Sequence, residues 1–534
     1  MSFKALLILF LCGLAVAVAT AWFQSTPGYM DADYYYAAAV QLVEGKGFSE
    51  PFLWNYLDDP TALPHPSHLY WMPLASVLAA ASIKISGLAS FQGASLVFII
   101  LAASLPPLTA RFAFHLTKRP ELAMLSGWMA VFSGFYLPYF TTTDTFAITM
   151  VMGALFLWFT ASPRKALSID MLFLKAFGMG ILAGMMHLGR ADGMMWLGFA
   201  WISVLSEPCE QRGEPDRWRI DLAGLMACLA GYLLIMAPWM WRNYTYAGTF
   251  LSPGASRGLW LRQYDELFYF PASRLSAATW LESGFLSILR ARLDALSQNF
   301  QTALAVQGSI VLFPLILMGG WAMRSRRPVW IGGLAWLAIF GLMTLVFPFQ
   351  GARGGFFHSG AALQPLLWTL APIGLEISIQ KIAQFRRWNP FQAYRFFAPG
   401  LVAILFFMTL FLAERRIIGG DFENPLWNRS AVEYAELEAV LETLDPLKKE
   451  SVMVNNPPGY YLASQRQSIA TPYGGVEVLI GAAQRFGVRY LLLEKNHPED
   501  LHELYDHPQD TSALDYWGSI DGTRVYIFQF AGAP

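Results

Sequence analysis

The chain has 534 residues, 55% of them hydrophobic and 14% charged, a balance that a water-soluble core cannot absorb and a lipid bilayer can. A formal net charge of −1 supplies neither a basic field for nucleic acid nor an acidic tail. The three cysteines, Cys12, Cys209 and Cys228, suggest neither a disulfide framework nor a cysteine metal site.

Residues 5–23 form an apolar run behind Lys4. Its Ala-Val-Ala stretch would suit a cleaved signal peptide, but the run is long enough to cross a bilayer and lacks a polar end region, so a retained first span is expected. Further apolar runs lie near 91–110, 122–140, 145–161, 172–188, 193–206, 220–241, 307–323, 329–347, 357–378 and 396–414, about eleven transmembrane helices in all. The loops 111–121, 162–175, 207–219, 324–328 and 379–395 together carry sixteen Lys and Arg, and the positive-inside rule makes them cytoplasmic. Residues 69–87 are apolar enough to span as well, yet counting them would invert every later loop. They are read as an interfacial or re-entrant helix, with Tyr70 and Trp71 at headgroup depth and Lys84 snorkelling.

This topology places a first loop (24–90), a turn at Asp144, a turn at Arg190 and Asp192, a long loop (242–306), a turn at Arg353 and the C-terminus on the extracytoplasmic side. Residues 1–414 are then a transmembrane domain. Residues 415–534 alternate like strands in SVMVNN, RYLLLEK and RVYIFQF, with helical stretches between, and read as a small extracytoplasmic α/β domain. The expected class is a polytopic α-helical membrane protein of the cell membrane.

Asp31 and Asp33, in GYMDADYYYAAA, lie just beyond the first span. A partly desolvated carboxylate there can take a proton from a hydroxyl, although Asp also suits the first turn of a helix. Asp144, in YFTTTDTF, shares their side and has the same two readings. Arg190 and Asp192 sit between two apolar runs, where charge usually marks a ligand or a pathway. Arg242, Arg353 and His358 are further outward cations suited to a phosphate. His65 and His68 stand at a spacing that permits a metal, without an acidic neighbour in sequence.

Several of these segments together resemble the GT-C glycosyltransferases, multi-span enzymes that include protein O-mannosyltransferases and the aminoarabinose transferases. Asp31-Ala-Asp33-Tyr34-Tyr35 is similar to their acidic first-loop motif, and HPSHLYWMPLA (His65 to Ala75) to the segment that follows it, with Ser67 and His68 departing from the family pattern. LGRADGMMW and APWMWRNYTYAGT resemble the family's arginine turn and its Pro-Trp-x-x-Arg-Asn-Tyr stretch, and the likeness runs from residue 1 to about 375. It implies transfer, with inversion, of a sugar from a polyprenyl-phosphate donor to an extracytoplasmic glycan, lipid or protein acceptor. Asp31 would be the base, Asp33 its alternative and Asp144 an orienting group. Arg190, Arg242, Arg353, His358, Tyr35 and His65 would hold the donor's phosphate or sugar. No cofactor is required, and a divalent metal near Asp31 and Asp33 is left open. The rivals are a transporter or flippase of a lipid-linked sugar and a non-catalytic membrane protein whose outer domain binds a partner.

Overall fold

The computed structural model describes residues 1–161, 169–206, 217–509, 514–519 and 525–530; Cys209 and parts of the basic loops 162–175 and 207–219 lie outside them. Among the described residues seven helices are long and apolar enough to cross a membrane: Phe3–Trp22, Phe91–Thr117, Asp170–Gly189, Trp218–Ala247, Arg327–Val346, Pro348–Arg386 and Pro390–Ile418. The chain is a mostly helical, multi-pass membrane protein. Four of the eleven expected spans are shorter helices: Pro120–Val131, Phe146–Ala161, Ala191–Leu205 and Phe313–Ala322. The run at 122–140 divides because Gly134–Tyr139, which contains Pro138, winds into a tighter 3-10 helix. The run at 307–323 loses its first turns because Ser309 and Ile310 take left-handed backbone angles.

Small residues let these helices approach. A Cβ at Gly180 would fall 2.0 Å from the Cys228 carbonyl oxygen, and one at Gly231 2.2 Å from that of Phe177. Glycine on both partners brings the two backbones together at that crossing.

The ambiguous segment forms Leu74–Ser86, 13 residues. At 1.5 Å per residue it reaches about 20 Å, short of a roughly 30 Å hydrocarbon core. Its Leu74, Ala75, Ala79, Ala80 and Ile83 pack with Tyr34, Tyr35 and Ala37 of the first-loop helix Met30–Val43. Trp71 stacks on Trp54 with ring centroids 3.9 Å apart.

Past the last span, Trp427 and Asn428 fold back onto the end of the first. The Trp427 indole donates to the Thr26 carbonyl at 3.1 Å, and Asn428 accepts from the Ser25 amide at 2.9 Å while donating to the Phe23 carbonyl at 3.0 Å. A six-stranded sheet follows, in the order Phe52–Leu53, Ser468–Ala470, Ser451–Val454, Val488–Leu493, Tyr526–Phe530, Leu514–Ser519. The first three pairings are parallel and the last two antiparallel. One edge strand thus comes from the first loop, some 400 residues upstream of its partner. Helices Arg429–Leu444 and Pro457–Ser464 pack beside the sheet, and the fully buried Arg466 joins them to it through Glu438, at 2.8 Å, and Asp445.

Candidate active site

Asp31 opens the helix Met30–Val43, whose entry is set by residues 25–29 lying against the tail. Gly28, at φ +93°, passes so close to Trp427 that a Cβ would stand 2.3 Å from the ring, so only glycine fits there. The threonine-rich turn 141–145 docks on the same stretch. Thr142 donates to the Pro27 carbonyl at 2.9 Å and Thr143 to that of Ala32 at 2.8 Å. These side chains replace the backbone pairing that a buried turn lacks, and they bring Asp144 beside Asp31.

The third member is His358, on the irregular helical stretch after Gly354. Its Nδ1 donates to the Gly354 carbonyl at 2.9 Å, so Nε2 faces the acids, 3.2 Å from Asp144 Oδ2 and 3.8 Å from Asp31 Oδ2. Phe146 stacks on the imidazole, ring centroids 4.1 Å apart. Ligand atoms of Asp31, Asp144 and His358 all lie within 4.8 Å of one another.

The two carboxylates differ in environment. Burial works to raise Asp144, but His358, the Tyr29 hydroxyl and the Thr145 amide outweigh it and hold its pKa below the ordinary value. Asp31 has no such set of donors: burial first, then the Asp144 charge, lift it to about 6 against the pull of His358 and Arg190. Its side chain is still 32% accessible, so it can meet a ligand while sitting deep among protein atoms. One acid is held ionised and its neighbour is poised to exchange a proton.

Arg190 keeps its Nε on Asp192 Oδ1 at 3.1 Å, and its charge acts on both Asp31 and Tyr35. Arg353 lies 5.0 Å from the ring centroid of Tyr264, in the long loop 242–306, and Tyr264 senses both Arg353 and Asp31. Arg190, Tyr35, Asp144 and His358 therefore gather round Asp31, with Arg353 one ring away.

Three expected site residues lie elsewhere. Arg242 donates to the Ser67 carbonyl at 2.6 Å and the Phe48 carbonyl at 3.3 Å and stacks over Trp239; it ties the last part of the first loop to a span. His65 sits between Asp58, 3.0 Å away, and Glu50, 3.7 Å away. Burial would lower it, but these acids raise it to about 9. Its partners are therefore acids from its own loop. Asp33, two residues on from Asp31, projects from the other side of the helix and accepts from Asn456 Nδ2 at 2.8 Å. His68, weighed beside His65 as a metal ligand, is fully buried between Ser67 and Ser76 hydroxyls at 2.9 Å each. Burial and Arg242 push it down to about 3.

Tyr29, Tyr264 and Asn456 were not singled out in the sequence. Tyr29 stands two residues before Asp31 in GYMD, a signal that proximity alone offered; nothing local marks the other two.

No family model matches the sequence, and no curated protein does. Solved structures match the fold. ArnT from Cupriavidus metallidurans bound to undecaprenyl phosphate aligns with a TM-score of 0.55 at 11% identity, covering 99% of this chain and 98% of that one. The Archaeoglobus fulgidus oligosaccharyltransferase in complex with Zn and sulfate aligns at 0.57 and 13% identity, covering 94% and 68%. The same organism's AglB, with an inhibitory peptide and a dolichol-phosphate, aligns at 0.52 and 10% identity, covering 92% and 69%. The chain shares its fold with ArnT and the archaeal oligosaccharyltransferase, as the resemblance of its motifs implied.

Proposed function

We propose that this protein is an integral-membrane glycosyltransferase that moves a sugar, with inversion, from a polyprenyl-phosphate donor to an acceptor on the extracytoplasmic side. The observation that carries the reading is the convergence of Asp31, Asp144 and His358 within 4.8 Å, beside Arg190, on a fold shared with ArnT and AglB. In this mechanism Asp31 accepts the proton of an acceptor hydroxyl. The freed oxygen attacks the anomeric carbon, and the bond from that carbon to the phosphate oxygen breaks with its electron pair staying on the polyprenyl phosphate. Arg190, and Arg353 beyond it, supply fixed positive charge where the leaving phosphate gains negative charge. Asp144, held ionised, positions His358 and Tyr29 around the base.

The same three residues fit a divalent cation. Two carboxylates and one imidazole converge, and the Nδ1 donation to Gly354 turns the Nε2 of His358 toward them, as an outer-shell carbonyl does for a metal-bound histidine. A cation held there would add charge stabilisation at the leaving phosphate.

A lipid-linked donor also accounts for the architecture, since an isoprenoid tail has to be met from the bilayer while its head reaches polar groups. The test is transfer by purified protein in lipid, read as release of polyprenyl phosphate from a polyprenyl-phosphate sugar. Asp31→Asn lowers release by about a hundredfold or more under this reading; undiminished release in that variant removes the base from this helix.

A further inference from the structure

Behind the first-loop helix lies a cavity of about 530 Å³, within the size range of small-molecule sites. Asp33, Tyr36, Val40 and Val43 line it, spaced three, four and three residues apart, so they form one stripe of the helix. Asp31, two positions from Asp33, projects about 200° away. The cavity is thus separate from the Asp144 and His358 cluster. Its opposite wall is the tail, with Ser430, Tyr434 and Leu462, and its rim holds Thr26 after the first span and Phe91 and Gln92 at the start of the next.

The lining selects by chemistry. No Lys, Arg or His lines it, whereas Asp33 and Glu44 do, so the lining offers an anionic ligand no cationic side chain. A bare acyl chain would press hydrocarbon on the Asp33 carboxylate, which is costly without a hydrogen bond. Among the described residues the Asp33 side chain accepts a hydrogen bond from Asn456 at Oδ2, and Oδ1 has capacity left as an acceptor. Aromatic rings at Tyr36, Tyr434 and Phe91 offer flat apolar faces beside hydroxyl and amide groups.

We propose that this cavity binds an uncharged saccharide, its hydroxyls donating to the Asp33 carboxylate and its C–H faces packing on the rings of Tyr36 and Tyr434. The site stands apart from the reacting groups, and its existence does not depend on the transfer reaction. A membrane glycolipid and a free oligosaccharide share this chemistry, and Thr26, Phe91 and Gln92 put the rim between the end of the first span and the start of the next.

The experiment uses the full chain in phospholipid nanodiscs. Binding of a panel of uncharged disaccharides is read by saturation-transfer NMR, and of the same disaccharides on diacylglycerol by native mass spectrometry. Saturable binding is expected in at least one form; retention of the lipid form alone identifies a glycolipid, and binding of both identifies the saccharide itself. Binding should persist in Asp31→Asn and fall at least tenfold in Asp33→Asn, in Val40→Trp and in Ser430→Trp, the last two filling the cavity from opposite walls. A thermal melt of each variant confirms folding. The proposal is overturned by absence of saturable binding in both forms, by binding that survives both tryptophan variants, or by displacement with a small amine in place of saccharide.

Discussion

His358 Nε2 stands 3.2 Å from Asp144 Oδ2, although the two residues are 214 positions apart in the chain. The contact joins the turn 141–145 to the stretch after Gly354, and Asp31 is the third corner. Each group is ordinary alone; together they make one acid ionised and leave the other ready to take a proton.

Replacing Asp31 by Asn should lower the transfer rate by about 10²- to 10⁴-fold, the usual worth of a positioned general base. Asp33→Asn should leave the rate within about threefold, a change of under 1 kcal/mol in the barrier. Rates of polyprenyl phosphate release by the two variants, measured side by side, decide which carboxyl acts; equal losses would sink the assignment.

The rate should rise with pH through about 6, because Asp31 must be ionised to accept a proton and its pKa is held there by burial and by Asp144. Asp144→Asn removes the second of those causes and leaves the first, so the acid limb should move to lower pH without reaching the ordinary carboxylate range. A divalent cation on the same oxygens would also draw the limb down. Profiles recorded with EDTA and with added manganese separate the two effects.

Removal of divalent ions tests the donor set directly. If Asp31, Asp144 and His358 hold a cation, EDTA should abolish transfer, and His358→Ala should raise the manganese concentration needed for half-maximal rate by about 10- to 100-fold, as loss of a ligand or its support does. A rate indifferent to EDTA, with no metal found by elemental analysis, leaves the work to the protein's own groups.

His65 supplies a stability prediction with a defined sign. Its folded pKa of about 9 exceeds the unfolded value of about 6.5. The contribution is therefore complete below about pH 6.5 and is lost as pH rises through 9. Burial raises Glu50 as well, so Asp58, at 3.0 Å, is the stronger partner. In His65→Gln the melting temperature should fall below that of the wild type at pH 6, and the gap should close by pH 10, a contribution on the order of 2 kcal/mol at low pH.

Arg466 is fully buried with Glu438 and Asp445. Arg466→Leu should destabilise the region after residue 415 by about 3 kcal/mol, since it takes the buried cation from Asp445 and leaves Glu438 only Lys448 at 3.5 Å. Limited proteolysis should cut that region first. Because Phe52–Leu53 is an edge strand of the same sheet and Trp427 and Asn428 hold the entry to the Asp31 helix, transfer should fall with it; normal activity of a chain ending at 415 would show that the first loop stands unaided.

Much of the architecture was legible because bilayer solvation acts on local composition. Runs such as 5–23, 220–241 and 396–414 had to be apolar along their whole length, and each is a helix of span length. The runs at 122–140 and 307–323 misled because hydropathy does not register a 3-10 turn around Pro138 or left-handed residues at 309 and 310. Residues 69–87 were read as interfacial from charge parity, and the chain forms the 13-residue helix Leu74–Ser86 there.

The candidate site divides in the same way. Asp31, Asp144, Arg190 and His358 stood out because charge is expensive beside a membrane, and the fold brings them together. Arg242 and His65 stood out for that same reason, yet the fold assigns them to the Ser67 carbonyl and to Asp58. A list of charges cannot tell a ligand group from a satisfied one, since the difference lies in whether a partner has already taken the hydrogen bonds.

By itself, then, the sequence determined that the chain lies in a bilayer and which few charges stand at the ends of its helices, because hydrophobic periodicity and charge cost are local properties. Only the tertiary structure decided that Asp31 faces Asp144 and His358 while Asp33, two residues on, faces the tail and its cavity. That separation comes from the 100° turn per helical residue and from Trp427, Asn428 and Asn456, which fix the helix's entry and rotation from some 400 residues away.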